Sequence, residues 1–267
     1  MDLEFWWNNE FYLGYIPKEK NDYLVESLEL LLNLFRNNNI KATFFVLGAV
    51  AEKYPDSIDD IYNDGHEIAS HGYSHTRLHS LGKEKFEEEI KKSLDLLSPY
   101  DPIGFRAPSF SVDNSTRWVF DVLEQYGFKY DSSIFPIKTM LYGVPDAPVG
   151  IYRPSFENII KNDPNGSIIE FPLSVLKFGL NFPLSGGFYL RVLPTYFLKK
   201  GLEYINSKRP SILYIHPHEV NDNIPKLKCT LFSHFICYYG RETTLKKMEI
   251  LLQNFEFMPI RDVLYGI

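Results

Sequence analysis

Apolar and polar residues along this chain fall into two alternating rhythms. Residues 42–48 form a continuous apolar run, as in a strand covered on both faces. Shorter runs of the same kind lie at 67–69, 102–108, 128–133, 167–173, 211–216 and 256–260. Residues 1–7 add a very short first strand, with Asp2 and Glu4 on one face by period-two alternation. Between these runs the spacing becomes helical. Leu24, Leu28, Leu31, Leu32 and Phe35 form one stripe, with Asn21 or Asp22 as the cap and Asn37, Asn38 and Asn39 as the stop. Phe86, Ile90, Leu94 and Leu97 form another over 83–97, whose charged face reads as solvated. Further helices are expected near 50–53 and 57–62, and over 115–126, 194–206 and 242–254. Residues 138–153 are rich in Pro and Gly and read as a surface loop.

Strand and helix alternate from end to end, which predicts a parallel sheet. The expected fold is α/β: a distorted (β/α) barrel of about seven parallel strands with its site at the C-terminal rim. No repeat or linker divides the chain, so residues 1–267 read as one domain with a C-terminal strand/helix extension.

Composition narrows the function classes. The chain is 45% hydrophobic and 23% charged, which suits a globular protein. A net charge of −6 without any Lys/Arg block argues against nucleic acid as a partner. No apolar run is long enough to span a membrane, and no signal peptide precedes the first acidic residues. The two cysteines, Cys229 and Cys237, read as reduced side chains. Together these features give a cytoplasmic expectation. Aromatic residues reach 16%, which fits either a Phe/Tyr-rich core or a carbohydrate groove. Oligomeric state is not legible.

Residues of catalytic type recur where the strands should end. Asp2 and Glu4 lie on the first, His71 and His75 follow the third, Arg106 the fourth, Asp131 the fifth and His216 the last long one. In a parallel sheet all of these meet on one rim, where α/β proteins build their sites. Taken singly, each has a plain structural role open to it: surface histidines, a buried ion pair, a core histidine.

The order of these residues resembles the polysaccharide deacetylases of the NodB-homology group. The five motifs stand here as Asp2-Leu3-Glu4, His71-Gly72-Tyr73-Ser74-His75, Arg106-Ala107-Pro108, Asp131-Ser132-Ser133 and Leu213-Tyr214-Ile215-His216. Two more stretches, running from Ser185 to Arg191 and from His216 to Glu219, resemble the exopolysaccharide-linked branch. The resemblance implies removal of N-acetyl groups from an N-acetylated glycan, with a divalent metal to acidify water and polarise the carbonyl. Zinc is the first choice, and the ligand set also suits iron, cobalt or nickel. The resemblance further implies Glu4, His71 and His75 as metal ligands and Asp2 as the base, though the two acids can be exchanged. Arg106 would hold Asp2 ionised, His216 would be the general acid, and Asp131 would pair with His216.

Two departures stand out. Asp2 follows Met1 directly, so the first strand has almost nothing upstream to tie it down, and added apolar residues there are expected to raise stability and activity. Phe5-Trp6-Trp7 replaces the usual Gly-Pro, and those rings either line the groove or pack. Two other readings accompany the deacetylase one: a metal-independent cyclic-amide hydrolase of allantoinase type, and an inactive glycan-binding homologue. A two-histidine, one-carboxylate oxygenase fits a parallel α/β pattern poorly.

Overall fold

A computed structural model describes residues 1–266. Six parallel strands form one sheet in chain order: β1 (Asp2–Leu3), β2 (Thr43–Val46), β3 (Glu67–Ser70), β4 (Gly104–Phe105), β5 (Tyr130–Asp131) and β6 (Ile169–Glu170). Each neighbour pairs in parallel with the next. β2 and β3 are buried along their whole length, because helices cover the sheet. α1 (Leu24–Asn37) buries the predicted leucine stripe and Phe35 in the main core. Its first N–H donates to Asp22 Oδ1 at 3.2 Å, while Tyr23 occupies the capping position itself.

The remaining helices are α2 (Gly48–Lys53), α3 (Pro55–Asn63), α4 (Leu78–Leu97), α5 (Val119–Gln125), α6 (Gly187–Val192), α7 (Thr195–Asn206), α8 (Leu231–Tyr238), α9 (Thr244–Leu252) and α10 (Ile260–Tyr265). An antiparallel hairpin of β7 (Val175–Phe178) and β8 (Leu180–Pro183) turns at Gly179. Among the described residues, no helix is long and apolar enough to cross a membrane.

The first strand is tied down despite its length. Phe45 N–H donates to Met1 O at 2.8 Å, and Leu47 N–H to Leu3 O at 3.1 Å. Asp2 is consequently 2% exposed. Residues 211–216, expected as a strand, run beside β1 without a regular ladder. Asp2 N–H donates to Ile215 O at 3.2 Å, and Ile212 N–H donates to Ser174 Oγ at 2.7 Å. This segment therefore links the region after β6 to β1, the two edges of the sheet.

The strand expected over 256–260 does not form. Pro259 precedes α10, whose first two N–H groups donate to Thr43 Oγ1 (2.8 Å) and Glu67 Oε2 (3.2 Å). A helix start needs acceptors for its free N–H groups, and a buried carboxyl needs donors. That mutual satisfaction outweighs the β propensity of the stretch.

Candidate active site

The C-terminal ends of the strands carry the polar residues. Glu4 lies one residue past β1, His71 one past β3 and Arg106 one past β4, while Asp131 and Glu170 close β5 and β6. Asp2, Glu4, His71, His75 and His216 line one pocket, whereas Arg106 and Asp131 do not line it.

The histidine turn depends on left-handed backbone. Gly72 has φ +74° and His75 has φ +61°, which folds the second imidazole back to 5.3 Å from the first. Ser109 and Phe110, also on the pocket wall, share that sparsely populated region. Glu89 of α4 secures the turn. Its Oε2 accepts from Tyr73 N–H at 3.2 Å and Ser74 N–H at 3.1 Å, so the charged face of α4 is not merely solvated.

One ligand atom from each of Glu4, His71 and His75 lies within 4.8 Å of the others. His71 Nδ1 sits 2.7 Å from Arg106 O. A carbonyl can only accept, so Nδ1 carries the hydrogen and Nε2 keeps its lone pair. Nε2 lies 3.6 Å from Glu4 Oε2, which His75 Nε2 also contacts. Glu4 Oε2 is buried and receives no hydrogen bond. Lone pairs converging in a buried place call for a cation among them. Two imidazoles and one carboxylate also leave coordination positions open, so the residues fit a catalytic divalent metal.

Beside this cluster Arg106 Nη1 donates to Asp2 Oδ1 at 2.6 Å. Its Nε and Nη2 donate to Ser132 O and Ser132 Oγ, both at 2.8 Å. Burial pushes the Asp2 carboxyl up, but the Arg106 guanidinium, helped by His216, outweighs it and holds Asp2 below its ordinary range. Asp2 is thus ionised at neutral pH. His216 Nε2 lies 3.7 Å from Asp2 Oδ2 and 3.8 Å from Glu4 Oε1.

The expected pairing of Asp131 with His216 is not found. His216 Nδ1 faces Glu219 Oε2 at 3.0 Å instead. Burial lowers the His216 imidazole, but Glu219, Glu4 and Asp2 raise it further, to about 9. Asp131 closes β5, where Ser133 Oγ donates to its Oδ1 and accepts Ala107 N–H at 2.7 Å. Its other oxygen and Glu170 Oε2 are both buried without a donor. Two facing carboxyls there must share a proton. Burial, then the Asp131 charge, pushes Glu170 well above its ordinary range, so Glu170 carries that proton.

A pH effect on stability follows. The unfolded chain releases this proton near pH 4.5, whereas the folded pair keeps it. Above that pH folding takes up a proton, so stability falls as pH rises, by at most about 1.4 kcal/mol per unit for one group. Glu170→Gln can keep both contacts, accepting from Ile134 N–H and donating to Asp131, but it cannot titrate. Urea unfolding should find this variant more stable than the wild type at pH 8 and no more stable at pH 5. Parallel pH curves would exclude the shared proton.

Three of the four other histidines have plain structural places. His66 is buried, accepts Ala42 N–H at 3.1 Å and is lowered to about 4, mainly by burial. His79 is a surface partner of Asp113. His218 is buried and stacked on His216 at 5.0 Å, and it does not line the pocket. Phe5 stacks on Trp7 and Trp6 is buried, so those rings pack; Asn8, Asn9, Glu10 and Phe11 reach the pocket instead.

Comparison with known proteins agrees with this geometry. A family model described as "Polysaccharide deacetylase" matches residues 21–130. A domain of unknown function (DUF3473) matches residues 132–265. Residues 21–130 thus carry a polysaccharide deacetylase domain. The first match includes His71, His75 and Arg106, and the second includes His216. Asp2 and Glu4 precede both, so their place in the site rests on geometry alone. Among curated relatives, a peptidoglycan-N-acetylglucosamine deacetylase of Bacillus cereus is 36% identical over 92 residues, 33% of this chain and 34% of the relative. A peptidoglycan deacetylase of Helicobacter pylori is 33% identical over 107 residues, 39% of this chain and 36% of the relative. The chain thus spans about a third of the length of each. The crystal structure of Puue allantoinase shares the fold with TM-score 0.54 at 18% identity, covering 89% of this chain and 70% of that one.

Proposed function

We propose that this chain is a metal-dependent hydrolase that removes N-acetyl groups from an amino-sugar polysaccharide, an exopolysaccharide or a peptidoglycan-like glycan. The observation that carries this reading is the meeting of Glu4, His71 and His75 with the Asp2–Arg106 pair and His216 around one pocket. Glu4, His71 and His75 would hold a divalent ion, with zinc as the first choice. When bound, the ion acidifies a water and polarises the acetamide carbonyl.

The residues of the chain supply the proton transfers. Asp2, kept ionised by Arg106, takes a proton from the water as its oxygen forms the bond to the carbonyl carbon. The C–N bond then breaks, and His216 Nε2 gives a proton to the departing sugar amine. Asp2 returns its proton to solvent and His216 regains one, leaving acetate and the free amine. Asp131 acts at a distance, since Ser133 connects it to the backbone beside Arg106.

The test joins metal analysis with acetate release from N-acetylglucosamine oligomers. Bound metal near one equivalent, activity lost to a chelator and activity restored by zinc are the expected results. A chain with no metal and no acetate from any glycan tried would refute the proposal. Turnover insensitive to chelators would favour the cyclic-amide hydrolase instead.

A further inference from the structure

Residues 132–265 match a domain with no assigned function, yet this half brings both His216 and its partner to the pocket. We infer that Glu219, clamped by Arg191 and admitted by Gly187, is the positioning residue that aims the His216 imidazole at the substrate. The inference rests on the deacetylase reading of the site.

Glu219 Oε2 receives His216 twice, from the backbone N–H at 3.1 Å and from Nδ1 at 3.0 Å. Pro217–Glu219 is one 3-10 turn, which carries the carboxylate back over the imidazole three residues earlier. The other oxygen accepts from Arg191 Nη2 at 3.2 Å. The guanidinium is itself fixed at the end of α8, donating to Ile236 O and Tyr239 O, each at 2.8 Å. Gly187 lies against the carboxylate so closely that a Cβ there would sit 1.8 Å from Oε2. Any other residue at 187 would push Glu219 off His216.

Glu219 and Arg191 are about 5% and 4% exposed. A buried ion pair gains little stability over apolar packing. Here it holds the Nδ1 hydrogen on a fixed acceptor, so Nε2 is the nitrogen that faces the pocket and, in the imidazolium, carries the hydrogen to give. The segment from Ser185 to Arg191 and the turn after His216 therefore work as one holder for the acid.

The experiment exploits the leaving group. The metal-loaded chain is assayed on the N-acetylglucosamine pentamer, whose amine must be protonated, and on 4-nitrophenyl acetate, whose phenolate leaves without a proton. Glu219→Gln is expected to lower kcat on the pentamer by about 100-fold, with a much smaller change in KM. On the ester the loss should be only a few-fold, and metal content should not change. Arg191→Lys should fall between this variant and the wild type. An equal loss on both substrates would reduce Glu219 to a structural part, and an unchanged pentamer kcat alongside an inactive His216→Ala would remove it from the site. If the wild type releases no acetate from the pentamer, or His216→Ala matches the wild type, the deacetylase reading fails and this inference goes with it. Should Glu219→Gln not fold, Gly187→Ala is judged by the same ratio of amide to ester activity.

Discussion

Arg106→Ala is expected to destabilise the fold by about 3–5 kcal/mol, the cost of leaving a buried charge without its partner. Arg106 is 1% exposed and Asp2 is 2% exposed. The guanidinium closes three hydrogen bonds, one to Asp2 and two to Ser132, and lies 4.0 Å from the Phe45 ring centroid. Truncation strands the Asp2 carboxylate, orphans the Ser132 carbonyl and empties a volume walled by aromatic rings. Arg106→Lys should recover only part of the loss, since one ammonium cannot reproduce the planar fork. Asp2→Asn in the Arg106→Ala background should restore stability by removing the unpaired charge. Urea unfolding of the four proteins in this cycle measures the coupling. A loss below about 1 kcal/mol for Arg106→Ala would mean that the pair is not buried as described.

Asp2→Asn in the otherwise unchanged chain should lower kcat by about 10²–10⁴-fold, the usual contribution of a general base. The asparagine oxygen still accepts from Arg106, so the fold and the bound metal should both survive. Glu4→Gln is expected to do the opposite and release the metal. This contrast separates the two acids, which spacing alone left exchangeable. Glu4 Oε2 contacts both imidazoles, whereas Asp2 is engaged by Arg106. Metal loss from Asp2→Asn, with Glu4→Gln still loaded, would exchange the two roles.

Both acids were legible from the sequence because period-two alternation puts residues two apart on one face. The histidine pair and Arg106 were legible because each follows an apolar run, and a parallel sheet sends all such ends to one rim. Some local features were missed. The β7–β8 hairpin lacks clean alternation and turns on the single Gly179. Expected strands were longer than the paired ones: residues 128–133 pair only over Tyr130–Asp131.

By itself the sequence determined the α/β order of elements, the types of catalytic residue and the rim on which they gather. Those follow from periodicity, which is local and survives any exact packing. Only the tertiary structure decided which carboxylate serves which histidine. Asp131 and Glu219 were both available in the sequence. Asp131 is held by Ser133 and set against Glu170, while the path of residues 211–216 beside β1 brings the following turn, with Glu219, over His216. Hydrogen bonds act over about 3 Å, so the choice belonged to packing between distant segments and not to spacing along the chain.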